Sequence, residues 1–189
     1  MVATFSSAQT FEDLIAGYLK YLNGEITRVP TYAGELEPDT IPQLGVLKRI
    51  NKLGFLTIDS QDGLHEKEGE EETYQRAYVH GFMRKDVYNR FSSKMIATDL
   101  ICMGYPITRD PCNTGMSIVV TRERGEATGR KWRDYTQMPL SVLDQSDWEL
   151  LVSYSPKVLI EKDDIYQVTI IDPVWKRSNY LMEVVHKML

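Results

Sequence analysis

At 189 residues, with 42% hydrophobic and 26% charged side chains, the chain carries enough apolar surface for one full core and is short for two. Its formal charge of -5 argues against nucleic acid as the default partner, because duplex binding needs a basic face, although a local basic patch is compatible with it. The opening MVATFSSAQTFEDLI has no cationic region leading into an apolar run, and no stretch approaches the roughly eighteen apolar residues of a membrane span. With only Cys102 and Cys112, read as reduced structural thiols, these features predict a cytoplasmic globular domain with no membrane partner.

In chain order, Thr10 with Asp13 predicts a capping box. Leu14, Ile15, Tyr18, Leu19 and Leu22 form the apolar stripe of the helix it opens, and Asn23-Gly24 ends it. A second helix is expected after Asp39, with Pro42 in its first turn, Ile41, Leu44, Leu47 and Ile50 inward, and Gly54 as its stop. FLTID then reads as a strand and SQDG as a turn. HEKEGEEE, with five glutamates against one lysine between Glu66 and Glu72, reads as a solvated loop. YQRAYVHGFM is a second strand with Arg76, Tyr78 and His80 on one face and Ala77, Val79 and Gly81 on the other. A third helix is expected from Asp86 to Cys102, strands in MSIVVTRE and in DIYQVTIID up to Pro173, a short helix in SDWELLVSY, and a last helix capped by Ser178.

This alternation predicts an α/β fold, with α+β as the other possibility. It would be a single globular domain over 1–189, with a helical part at about 8–54 and a mixed α/β part at about 55–189. The expected sheet is mixed, four- to five-stranded and flanked by helices.

Familiar chemistries fail on spacing. His65, His80 and His186 lie far apart with no H-E-x-x-H or C-x-x-C, so no metal site is expected. A calcium loop starting at Asp59 would have its glycine, Gly63, at the fifth position where the sixth needs it. G-x-S-x-G and G-x-G-x-x-G are absent, and GEATGRKW lacks the spacing and the Ser/Thr of a P-loop, so no cofactor is expected.

If FLTID and RAYVHGF are antiparallel neighbours, Asp59, Ser60 and Gln61 come close to Gln75 and Arg76. Ser60, Gln61, Arg76 and Tyr78 then form a candidate ligand site, with Arg76 offering a bidentate fork to phosphate or carboxylate. His80 and Asp59 are the catalytic candidates, His80 as a general base. The plainer alternative is a well-built hairpin: an Arg–Asp surface pair, a capped turn and a hydrogen-bonded strand histidine. A second candidate is TRERGEATGRKWRD, where Arg122, Arg124, Arg130, Lys131 and Arg133 outnumber the acids and Trp132 can stack on a base.

INKLGFLTIDSQDG followed by QRAYVHGF resembles an uncharacterised domain family associated with actinomycetes and some large DNA viruses. Asn51, Gly54, Phe55, Thr57, Ser60, Gln61, Gly63, Gln75, Arg76, Val79 and Gly81 fall on its pattern. Asp62 stands where that pattern has proline, which predicts a looser turn. The resemblance covers roughly the first 85 residues and implies no mechanism. The expected function, from the polar side chains at the hairpin end, is binding of a small polar or anionic ligand, a nucleotide-like molecule among them. A hydrolase or transferase using His80 and a pocketless protein-interaction module are the alternatives, and the sequence leaves the oligomeric state open.

Overall fold

The computed structural model describes residues 3–38, 40–108, 117–139 and 146–189. After a short turn of helix, α1 (Ala3–Ser6), the expected capping box opens α2 (Phe11–Leu22). Asp13 N donates to Thr10 Oγ1 at 3.2 Å, and the Asp13 carboxylate accepts from Thr10 N at 3.1 Å. The stripe then buries Phe11, Leu14, Tyr18 and Leu22. A two-stranded ribbon follows, β1 (Arg28–Val29) against β2 (Tyr32–Ala33). Beyond Asp39, which lies outside the described residues, a 3-10 turn at Ile41–Gln43 carries Pro42 and leads into α3 (Leu44–Lys52).

Among the described residues the main sheet has seven strands: β3 (Phe55–Gln61), β4 (Leu64–Glu68), β5 (Glu71–Arg84), β6 (Ile101–Pro106), β7 (Ser117–Arg124), β8 (Arg133–Pro139) and β9 (Ile165–Trp175). β5 is its spine. The C-terminal half of β5 pairs with β3 and β9 and its N-terminal half with β4 and β7, while β6 and β8 extend the sheet at either side. α4 (Lys85–Met95) and α6 (Tyr180–Met188) join α3 against the sheet, and α5 (Ser146–Tyr154) brings Trp148 edge-on to Phe82 at 5.4 Å. Phe55, Leu56, Val79, Met83, Val168 and Ile170 of the sheet share one core with Phe11, Ile50 and Leu181 of the helices.

Several expectations change. The sheet is larger than four or five strands, and every described pairing is antiparallel, so the fold is α+β and the sheet is not mixed. The acidic run is not a loop but a hairpin, β4–β5, turning at Gly69-Glu70. Strand alternation sends successive glutamates to opposite faces, and several meet partners: Glu70 pairs with Arg130 and Glu72 with Arg124. The third helix stops at Met95, where Thr98 donates its hydroxyl to Met95 O and accepts from Leu100 N. Ile101–Pro106 is then released to pair with β9. β9 itself runs through Pro173 to Trp175. Ser178 does not cap α6. Its hydroxyl donates to Asp62 Oδ2, and Asp62 Oδ1 accepts from Asn179 N at 2.8 Å, so a carboxylate from the β3–β4 turn serves the helix end. Asp62 therefore anchors the turn that a missing proline was expected to loosen. Cys102 is a free thiol pushed by burial up to about 12, and Cys112 lies outside the described residues.

Asn51 ties the helical part to the sheet. It is fully buried, donates from Nδ2 to Leu47 O at 2.9 Å and to Thr57 Oγ1 at 2.7 Å, and accepts from Thr57 N at 3.3 Å. Asn51→Ala strands two polar groups of Thr57 away from water, so chemical denaturation should register a loss of about 1–3 kcal/mol. Asn51→Asp should also destabilise, because the oxygen replacing Nδ2 cannot donate to Leu47 O and sets a buried negative charge against it.

Candidate functional site

The expected antiparallel neighbours are present, with a break in register that decides what they display. Thr57 faces Gly81 and Asp59 faces His80, leaving Ile58 as the extra residue of a bulge. Thr57 therefore turns inward to Asn51, while Asp59 emerges beside Tyr78, whose hydroxyl donates to Asp59 Oδ2 at 3.0 Å. Gly81 permits this close approach: a β-carbon there would sit 2.0 Å from Leu56 O.

Thr57, Ile58, Asp59, Ser60 and Gln61 all line one cleft of about 400 Å3. Consecutive strand residues point to opposite faces, so five in a row on one cavity place it along the edge of β3. Among the described pairings β3 bonds only to β5, which leaves that edge outside the ladder. Across the cleft stand α2, the β1–β2 ribbon and the segment leading to α3. They supply an apolar floor from Leu22, Val29 and Leu47 and aromatic walls from Tyr18, Tyr21 and Tyr32. Three carboxylates, Glu37, Asp59 and Asp147, complete the lining, which contains no lysine or arginine among the described residues. Tyr32 donates its hydroxyl to Glu37, and that carboxylate pushes the phenol up to about 12. Tyr18 is bonded to Thr31 at 2.8 Å, and its burial raises it further above its ordinary value.

Of the residues singled out in the sequence, Asp59, Ser60 and Gln61 line this cleft; Tyr78, His80 and Arg76 do not. Tyr78 stands behind the bulge, holding Asp59. The His80 ring lies one step further back, with Nδ1 2.8 Å from Thr169 Oγ1 and Nε2 3.2 Å from the Gln167 amide nitrogen. A network in which the amide donates to Nε2 assigns the proton to Nδ1. Asp147 links His80 to the cleft, its Oδ2 3.8 Å from Nε2. Arg76 is turned away altogether. It donates from Nε to Pro173 O at 2.9 Å and from Nη1 to Val119 O at 2.5 Å, and it lies 4.0 Å over Trp175. The chain does not stop after Gln61 but continues through Asp62-Gly63 into β4, which pairs Leu64 with Gln75 and so separates Arg76 from Ser60.

The second candidate, the basic segment, is built into β7, a 3-10 turn at Glu126–Thr128 and β8. Its Arg124 meets Glu72, a carboxylate only 6% exposed. The Tyr74 hydroxyl, then His65 and Arg124, hold Glu72 down at about 2, well below its ordinary 4.5. A carboxyl whose folded value is depressed stabilises the fold above its unfolded value and loses that contribution as the pH falls through its folded value. Melting curves of the native protein should therefore drop from pH 4.5 toward pH 2, and those of Glu72→Gln should be flatter over the same window.

A family model described as a domain of unknown function, DUF6919, matches residues 2–189. The chain belongs to the DUF6919 family. A search of curated proteins finds no match. The resemblance in the first 85 residues to a family without known activity thus holds at that level, and DUF6919 extends over nearly the whole chain. In this DUF6919 protein most residues on the quoted pattern hold the scaffold. Asn51 clasps Thr57, Phe55 and Val79 are fully buried, and Gly63 packs so closely on Arg177 that a β-carbon would meet its carbonyl oxygen at 2.6 Å. Ser60 and Gln61 alone of the proposed ligand set open onto the cleft. Tyr18, Tyr21, Tyr32, Glu37 and Asp147 were not signalled as site residues by the sequence. Tyr18 looks like any other member of an apolar stripe, and Asp147 like an ordinary acid in a first helical turn. No helix among the described residues is long and apolar enough to cross a membrane.

Proposed function

We propose that this protein binds a small polar ligand in the cleft along β3, and that the ligand is neutral or positively charged with an apolar portion. The lining carries this choice: three tyrosines and three carboxylates over an aliphatic floor, with no lysine or arginine among the described residues. Tyrosine faces and nearby carboxylates both attract an ammonium group, and the floor accepts a ring or short chain. An anionic or nucleotide-like ligand finds less support. The guanidinium assigned to it, Arg76, is bonded to main-chain carbonyls outside the cleft.

Thermal-shift measurements with arylalkylamines such as tyramine, matched against the corresponding arylalkyl carboxylates and AMP, test this directly. At a hundredfold excess over the dissociation constant an amine should stabilise the fold by about 2.7 kcal/mol, or roughly 5–10 °C for a chain of this size. Asp59→Asn/Asp147→Asn should reduce the shift. Stabilisation by AMP or the carboxylates in place of the amines would overturn the proposal.

A catalytic version of the same site would run through Asp147, which both lines the cleft and approaches His80. It predicts that His80→Ala still binds ligand while losing turnover.

A further inference from the structure

At the end of the sheet away from the cleft, strand alternation largely sorts charge by face. Glu66, Glu68, Glu71 and Glu123 fall on one side with Arg133, while His65, Lys67, Tyr74, Arg122 and Arg124 fall on the other with Glu72 and Asp134. The basic side also carries three aromatic rings, each with a cation on it. Lys176 Nζ lies 3.7 Å from the Tyr74 ring, Arg124 4.9 Å from Trp132, and Arg76 and Arg122 lie 4.0 and 5.4 Å from Trp175. Tyr74 and Trp132 stack at 4.6 Å, which makes two of the rings continuous, and Trp132 remains 36% exposed.

Two of these cations are already neutralised: Arg122 pairs with Asp134 at 2.8 Å, and Arg124 with Glu72. Arg76 and Lys176 have no carboxylate within ion-pair distance among the described residues, and Arg76 is held by carbonyl oxygens alone. Two guanidiniums thus share the Trp175 ring with a single carboxylate, Asp134, paired to them. Burial and then the nearby Arg122 charge pull Arg76 below its ordinary value, outweighing the opposing pull of Asp172 and Asp134.

We infer that this face binds single-stranded nucleic acid, phosphates meeting Arg76 and Lys176 while a base stacks beside Trp132. The argument is charge complementarity combined with ring chemistry. A cationic sheet face attracts any polyanion, but exposed tryptophan and guanidinium planes add affinity only for one that carries bases. The acidic hairpin face and the net charge of -5 confine the attraction to this side, so affinity should be modest and strongly salt-dependent. This surface is separate from the β3 cleft, and either site can exist without the other.

Fluorescence anisotropy of a short labelled oligothymidylate, titrated with the full chain, is the test. Saturable binding is expected at about 50 mM salt, weakening roughly tenfold or more by about 200 mM if two or three phosphates are neutralised. Trp132→Ala should weaken binding at least about fivefold, as loss of one stacked base does. Lys176→Ser should weaken it and flatten the salt dependence, which keeps the test decisive if the tryptophan variant folds poorly. Absence of saturable binding at the lower salt would overturn the inference. So would equal affinity for heparin and oligothymidylate with no effect of Trp132→Ala, since that describes a plain polyanion surface.

Discussion

Replacing Gly81 by alanine is expected to destabilise the protein by about 3 kcal/mol or more, at or beyond the upper end of ordinary overpacking. The added β-carbon would sit 2.0 Å from Leu56 O and 2.9 Å from both the Leu56 carbonyl carbon and Thr57 Cα. All three contacts are main chain, in a strand bonded to β5 on both sides of the contact, so no side-chain rotation relieves them. Relief requires the β3–β5 ladder to open at the bulge, which is also what aims Asp59 at the cleft. Urea unfolding of Gly81→Ala should therefore show a lowered midpoint, and any ligand-induced thermal shift should shrink with it. A midpoint within about 0.5 kcal/mol of the native protein would mean that the bulge is not as close-packed as described.

Arg177→Ala should have a comparable effect for an electrostatic reason. Asp172 is fully buried, and its carboxylate is gripped by Arg177 Nε and Nη2, both at 2.6 Å, with Val174 N donating at 2.8 Å. The same guanidinium reaches Asp99 at 2.8 Å and stacks on Tyr180 at 3.7 Å. Removing it leaves a buried carboxylate without its counter-charge, a change that typically costs about 3–5 kcal/mol. Asp172→Asn in the Arg177→Ala background should recover part of the loss by removing the orphaned charge. Failure of that double variant to recover any stability would show that Arg177 acts mainly through its packing on Tyr180 and Gly63.

The hairpin was legible in the sequence because two apolar runs joined by turn residues can pair in few ways, and the first helix because Thr10 and Asp13 announce it. Three features were not. The bulge at Ile58 leaves no mark in composition, yet it separates Thr57 from Asp59, which simple alternation puts on one face. The strand at Leu64–Glu68 was concealed by an acidic run whose later members, Glu70 and Glu72, are met by residues distant in sequence, Arg130 and Arg124. The strand at Ile101–Pro106 follows a helix whose Val87, Phe91, Met95 period runs on to Thr98, where a side-chain hydroxyl bond, invisible to periodicity, ends it. For the same reason the site was half legible. Ser60 and Gln61 could be placed from the turn, but the opposite wall comes from a helix and a ribbon some thirty residues earlier, and only tertiary packing brings Tyr18, Tyr32 and Glu37 to face them.

Mapping amide chemical shifts during a tyramine titration of the isotope-labelled full chain tests the cleft most directly. Saturable shifts should cluster at residues 57–61, at Thr31 and Tyr32 and at Asp147, and they should be lost in Asp59→Asn/Asp147→Asn. Shifts absent at millimolar amine, or moved to the Arg76–Trp175 face, would contradict a ligand site along β3.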